Sequence, residues 1–269
     1  VLTADRPDGL LIYGDTNSTL AAALVAAKLD IPVFHVEAGL RSFRRAQPEE
    51  INRRVADHLA ALLFCPTPQA VSHLAKEGIS AGVMLVGNVM FDAALAAAER
   101  PEGSDVVQRL GLTPGQYEVA TVHRAENTDD DAQLAKVIEF LKARAGTVVL
   151  PLHPRTKAAL QRAGLTLDGI TVTAPLGYLE MTHLVKASAG VLTDSGGLQK
   201  EAYFHRVPCI TLRDETEWTE TVDAGWNRLW LSPETKTPRR DIDAYGDGNA
   251  SQRIAQAITA YLAKDGGTA

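Results

Sequence analysis

The sequence predicts an α/β protein built as two Rossmann-like units with parallel sheets, and three observations carry that expectation. Short β-rich runs alternate with longer helical patterns along almost the whole chain, the arrangement that covers a buried parallel sheet with helices. The 269 residues exceed the roughly 150 of an average domain, so two modest domains are expected. Apolar residues at 45% and charged residues at 22% suit a globular chain with real cores, which excludes disorder, fibrous repeats and a disulfide scaffold.

In the first half, strands are expected at 10–13, 33–36, 62–65 and 83–86. A helix over 19–29 is rich in alanine and leucine and stops at Asp30-Ile31-Pro32, because proline cannot continue it. A second helix over 48–61 starts at Pro48, with Glu49 and Glu50 in the first turn, where the macrodipole favours negative charge. The second half repeats the rhythm, with strands at 119–122, 148–150, 170–173, 191–193 and 209–212. Its helices are expected at 131–145, 156–163, 179–186, 198–205 and 251–264. Between the halves, Glu99-Arg-Pro-Glu-Gly-Ser-Asp and Leu112-Thr-Pro-Gly-Gln carry turn residues without a sustained period. The expected division is therefore a domain over 1–98, a linker over 99–116 and a domain over 117–269.

A formal net charge of −6 disfavours nucleic acid and an anionic membrane surface as partners and leaves anionic ligands dependent on local basic pockets. Cys65 and Cys209 each sit in an apolar run, which suits buried thiols in a reducing cytoplasm better than a disulfide. No apolar stretch reaches the ~18 residues of a membrane span, and Val1-Leu-Thr-Ala-Asp-Arg lacks a signal-peptide layout. A soluble, cytoplasmic protein is the expectation.

Ligands of open α/β sheets sit at the carboxyl ends of the strands, so the residues just after each strand are the candidates. Gly14-Asp15-Thr16 follows the first strand: Asp15 either projects toward a ligand or caps the next helix. Glu37, in His35-Val36-Glu37-Ala38-Gly39-Leu40-Arg41, leaves the sheet at the same edge, with a salt bridge to Arg41 or Arg45 as the alternative. Neighbouring carboxylates disfavour each other's ionisation, so one can hold a proton as an acid while another acts as a base. Glu49 adds a third carboxylate, or serves only as a helix start. In the second half, His123-Arg124 ends a strand with an imidazole beside a guanidinium, a pair suited to an anionic leaving group, and His153 repeats the pattern one strand later. Asp194-Ser195-Gly196-Gly197 runs from a strand into a helix whose backbone N–H groups can cradle a diphosphate, with Glu201 one turn further on to accept from ribose hydroxyls. Gly-Lys-[Ser/Thr], GxGxxG and GxSxG are absent, which argues against a Walker loop, a nicotinamide cofactor and serine hydrolysis. No spacing demands a metal, and no cofactor is expected.

Together these pieces resemble the non-hydrolysing UDP-N-acetylglucosamine 2-epimerases, whose fold is like that of GT-B-type glycosyltransferases. The matching segments are Gly14-Asp15-Thr16, His35–Arg41, Pro48-Glu49-Glu50, Val86-Gly87-Asn88, His123–Asn127, Asp194–Gln199 and Leu212–Glu217, in the family's order. The resemblance implies that Asp15, Glu37, Glu49 and His123 are catalytic. It also implies that Ser195, Gly196, Gly197 and Glu201 hold the diphosphate and ribose, with His153 and Arg213 lining the same cleft. A UDP-sugar is then the expected partner, the protein a homodimer, and the product a precursor for cell-surface polysaccharide. The implied reaction expels UDP from C1 while a base removes the C2 proton, and UDP re-adds to the glycal after protonation on the other face. The stretch 212–227 looks like a branch that includes epimerases of UDP-2,3-diacetamido-glucuronic acid. A hydrolysing epimerase, a glycosyltransferase and a non-catalytic nucleotide-sugar-binding module are the competing readings. Family members usually carry further βα units before the Gly-Asp-Thr turn, so at ~30 residues per repeat the first domain is expected to be incomplete by on the order of 60–90 residues. Met181 stands where the family more often has an aromatic that could stack on uracil.

Overall fold

The computed structural model describes residues 2–44, 46–233 and 237–265. In chain order its first elements are β1 (Leu10–Tyr13), α1 (Asn17–Lys28), β2 (Val33–Val36), α2 (Pro48–Leu59), β3 (Leu62–Cys65), α3 (Pro68–Lys76), β4 (Val83–Leu85) and α4 (Val89–Glu99). There follow α5 (Val106–Arg109), β5 (Tyr117–Thr121), α6 (Ala125–Thr128), α7 (Asp131–Lys142), β6 (Thr147–Pro151), α8 (Pro154–Ala163), β7 (Thr171–Thr173) and α9 (Tyr178–Lys186). The chain closes with β8 (Gly190–Thr193), α10 (Gly196–Phe204), β9 (Cys209–Thr211), α11 (Thr219–Asp223), β10 (Asn227–Leu229) and α12 (Ala250–Asp265). The α/β expectation holds. The helices at 68–76 and 89–99 and the strand β10 are additions that short or alanine-rich segments left without a clear period.

The chain forms two compact units, one of residues up to Asp92 together with those from Asp243 onward, the other Ala93–Ile242. The first holds a parallel sheet ordered β1-β2-β3-β4. Its strands carry apolar side chains on both faces, as a sheet covered by helices requires. On one face Ile12 and Val33 pack against Ala23, Ala26 and Ala56 of α1 and α2. On the other, Phe34, Val36, Phe64 and Val86 pack against Ala250 and Ile254 of α12.

This docking of α12 departs from the expected domain over 117–269. The apolar stripe of α12 is complementary to the first unit's sheet, Tyr261 meets Phe34 edge-on at 5.3 Å between ring centroids, and Asp92 accepts the Ala250 and Ser251 N–H groups at 3.2 and 2.6 Å. The expected linker also differs, since Val106 of α5 is fully buried in a core of the second unit with Tyr117, Leu184 and Val191.

The second unit holds a parallel sheet ordered β10-β9-β8-β5-β6-β7. Leu134, Val137, Ile138 and Leu141 of α7 cover one face, and burying each contributes about 1.5–3 kcal/mol. Chain order reverses between β8 and β5, which lie side by side with Thr121 opposite Thr193. The carboxyl ends of two strands that diverge in connectivity leave a crevice there, the usual ligand site of such sheets.

Candidate functional site

The switch point between β5 and β8 gathers most of the second-half candidates. Asp194, fully buried, accepts the backbone N–H groups of His123 at 2.9 Å and Arg124 at 2.9 Å and the Asn127 amide at 3.1 Å. It thereby fixes the turn after β5, and its Oδ1 lies 3.3 Å from His123 Nδ1. The His123 ring stays 37% exposed and rests against His153, with ring centroids 5.5 Å apart. His153 caps α8: its Nδ1 accepts the Arg155 N–H at 3.1 Å.

Ser195 caps α10 through Oγ, which accepts the Leu198 N–H at 3.4 Å, while its own N–H donates to Thr193 Oγ1 at 2.9 Å. His123, His153, Ser195, Gly197, Met181 and Glu201 line one cavity of about 290 Å³. Burial raises the Glu201 carboxyl above its ordinary range, with Lys200 opposing. Met181 lies on the wall, and Tyr178, one turn earlier on α9, is 49% exposed.

The loop after β9 folds onto the start of α10. A Cβ built on Gly196 would lie 2.5 Å from Glu217 Oε1 and 3.2 Å from Trp218 Nε1, so the absence of a side chain lets these groups approach the helix N-terminus. The Arg213 side chain, only 10% exposed, donates from Nη1 to Glu217 Oε2 at 2.8 Å. Its Nε stands 3.5 Å from Glu126 Oε2, while the Trp218 indole N–H is buried without a hydrogen-bond acceptor among the described residues. Arg124 Nη2 stands 3.7 Å from Glu217 Oε1. Burial alone would raise Glu217, yet its own backbone N–H, Arg213 and Arg124 hold this carboxylate below the ordinary range. The cluster therefore favours an anion, and the Trp218 indole N–H has no acceptor among the described residues.

In the first unit the candidates after β1 and β2 stand at neighbouring strand ends, since the two strands pair in parallel with Tyr13 opposite Val36. Asp15 does not cap α1; Thr16 does, accepting the Thr19 N–H at 3.3 Å. Instead Asp15 Oδ2 takes Arg53 Nη2 at 2.6 Å and Nε at 2.9 Å. Glu37 is half-buried, adopts a left-handed φ of +68°, and has no hydrogen-bond or ion-pair partner among the described residues. Of its two alternative partners, Arg41 is engaged by Asp57 and Glu77, and Arg45 lies outside the described residues. Glu49 is exposed on the first turn of α2. Its neighbour Glu50 is 3% exposed: burial would raise it, but the Ser42 N–H at 2.8 Å, Ser42 Oγ at 3.0 Å and Arg54 Nε at 3.2 Å hold it below the ordinary range. The like-charge carboxylate set expected from sequence thus contains one ion-paired member, one unpartnered member and one exposed member.

Sequence reasoning missed Arg53, Asp57, Asp194's hold on His123, and Trp218. A signal did exist for α2, whose buried face is Glu50, Asn52, Ala56 and Asp57 while Ile51 is 50% exposed, the reverse of an ordinary amphipathic helix. Among the described residues no group of His, Cys, Asp and Glu could hold a metal ion, and no helix is long and apolar enough to cross a membrane.

A family model described as UDP-N-acetylglucosamine 2-epimerase matches residues 1–259. UDP-2,3-diacetamido-2,3-dideoxy-D-glucuronate 2-epimerase of Pseudomonas aeruginosa is 46% identical over 282 residues, covering 98% of this chain and 77% of that protein. The crystal structure of Methanocaldococcus jannaschii UDP-GlcNAc 2-epimerase in complex with UDP-GlcNAc and UDP is similar with a TM-score of 0.78 and 39% identity, over 96% of this chain and 77% of the other. UDP-GlcNAc 2-epimerase from Neisseria meningitidis bound to UDP-GlcNAc gives a TM-score of 0.76 at 29% identity, over 96% and 77% of the respective chains.

Proposed function

Since the chain belongs to the UDP-N-acetylglucosamine 2-epimerase family, we propose that it interconverts UDP-N-acetylglucosamine and UDP-N-acetylmannosamine by eliminating UDP and adding it back across a glycal, without net hydrolysis. The observation that carries this reading is the anion-favouring cluster at the β5–β8 switch point. There the α10 N-terminus, Arg124, Arg213 and the Trp218 indole N–H, the last without an acceptor among the described residues, offer donors for a departing diphosphate.

The C2 proton of an N-acetylhexosamine is not adjacent to a carbonyl, so its direct removal is unfavourable. Expelling UDP from C1 makes the ring oxocarbenium-like and acidifies C2–H in the same event. Donors fixed before the reaction stabilise the charge that develops on the diphosphate without having to reorganise. His123, held through Asp194, Ser195, Gly196, Gly197 and Arg213 serve the diphosphate; Glu201 serves the ribose and His153 lines the pocket. Among Asp15, Glu37 and Glu49, Glu37 is half-buried with no ion pair among the described residues and can exchange a proton without breaking one, whereas Asp15 acts with Arg53.

The 46% identity to the diacetamido-glucuronate epimerase favours a second reading, the same reaction on that related UDP-sugar. Incubating the protein with each UDP-sugar in D₂O distinguishes the possibilities. Epimer carrying deuterium at C2, with UDP returned to the sugar, is expected for the preferred substrate. Epimer without deuterium refutes the elimination route, and accumulation of free N-acetylmannosamine with UDP assigns a hydrolysing reaction instead.

A further inference from the structure

Behind the Gly14–Asp15 turn, the side chains of His35, Asp57 and Arg41 are closed off from water, and Glu77, partly exposed, meets Arg41 at the edge of the group. His35 is fully buried; its Nδ1 lies 2.7 Å from Asp57 Oδ1 and its Nε2 lies 2.8 Å from the Gly14 carbonyl oxygen. A carbonyl oxygen only accepts, so Nε2 carries a hydrogen. Asp57 Oδ2 accepts the Gly39 N–H at 3.1 Å and Arg41 Nη1 at 2.7 Å, the surroundings of an ionised carboxylate, so Oδ1 accepts as well. Then Nδ1 also carries a hydrogen. A neutral imidazole has a single N–H and would set a lone pair against a lone pair at one of these two short distances.

Arg41 meets Asp57 and forms a two-point contact with Glu77, Nε–Oε1 at 2.9 Å and Nη2–Oε2 at 2.7 Å. Both side chains of the Arg41–Asp57 pair are at 0% exposure, so hydrogen-bond donors rather than water hold the Asp57 carboxylate. Around it stand Glu50, which feels the Arg41 charge, Arg54, 3.7 Å from Glu77, His58 beside Glu77, and the Cys65 thiol, which burial and the Asp57 charge push up to about 12.

The mechanical consequence falls on the candidate catalytic residues. Gly14 and Glu37 both hold left-handed backbone, at φ +61° and +68°. His35 sits two residues before Glu37, and the carbonyl it binds immediately precedes Asp15. We propose that His35 is a positioning residue that keeps both ring hydrogens and uses them to tie the Gly14–Asp15 turn to Asp57 of α2, fixing the direction in which Asp15 and Glu37 leave the sheet. This rests on the reading of Asp15 and Glu37 as the acid–base groups.

The test uses the whole chain. In ¹⁵N-edited spectra with labelled histidine, both His35 nitrogens are expected to show one-bond coupling to hydrogen at neutral pH; one nitrogen without a hydrogen overturns the assignment. His35→Gln places its amide nitrogen where Nε2 was and can still donate to Gly14, whereas His35→Asn places it where Nδ1 was and cannot. Turnover of the UDP-sugar is therefore expected to fall about tenfold or more in both, since His35→Asn loses the Gly14 end of the tie and His35→Gln the Asp57 end, with UDP affinity within about twofold in both. Parental turnover in either variant overturns the positioning role. If both variants fail to fold, the nitrogen spectrum of the unaltered protein still decides. If Asp15→Asn and Glu37→Gln are fully active, the acid–base reading fails while the spectrum reports independently on His35.

Discussion

Replacing Glu37 by glycine is expected to stabilise the protein while removing its activity. Glu37 holds φ +68°, where a side chain costs about 1–2 kcal/mol relative to glycine. Its carboxylate has no hydrogen-bond or ion-pair partner among the described residues, so truncation breaks no such bond there. Glycine adds freedom to the unfolded chain, which offsets about 0.5–1 kcal/mol. The net gain is about 0.5–1 kcal/mol, or a rise in Tm of roughly 1–4 °C for a chain of this size. Glu37→Gln keeps the strained backbone and is expected to leave Tm unchanged. Both substitutions should lower turnover by ~10²-fold or more if Glu37 transfers a proton. Scanning calorimetry of the three proteins, with epimer formation followed by NMR, provides the assay. A glycine variant less stable than the glutamine variant would show that contacts of the side chain outweigh the backbone strain. Near-parental turnover in Glu37→Gln would refute the proton-transfer role.

Two further outcomes follow from the structure. Burial raises Glu201 in the folded state, so its contribution to stability is lost as pH rises from the ordinary carboxylate range through the folded value. Glu201→Gln does not titrate and should gain stability over the parent between acid and neutral pH, with no gap below that window, while UDP binding weakens; denaturant melts at pH 4 and 7.5 giving the same gap would contradict this. Gly39 has φ +77°, and a Cβ there would lie 2.4 Å from the Ala70 carbonyl oxygen, so Gly39→Ala is expected to destabilise by about 2 kcal/mol or more, and an unchanged chemical-denaturation midpoint would refute the clash.

Much of the architecture was legible in the chain because parallel sheets write themselves plainly. Buried strands such as Val33–Val36 and Leu62–Cys65 are continuous apolar runs, and proline, glycine and capping residues mark where helices begin and end. The candidate residues were legible for a related reason: a group that serves a ligand of such a sheet must stand just after a strand, and Asp15, Glu37, His123, His153 and Ser195 all do. Even so, the cap of α1 fell to Thr16 rather than Asp15, since the two compete for the same orphan N–H groups and only backbone geometry decides between them.

What tertiary structure alone decided is which of these groups have partners. Asp57 lies 22 residues from His35 and Asp194 lies 71 from His123, separations over which no local periodicity carries information. The strand order that brings β5 beside β8, and so makes a crevice beside His123 and Ser195, is likewise a property of the folded sheet. The docking of α12 belongs to the same class. Its apolar stripe announced a helix with one buried face, but a stripe specifies an area to be covered and not a partner, and shape complementarity with Phe34, Val36 and Val86 selected the sheet nearly the whole chain away.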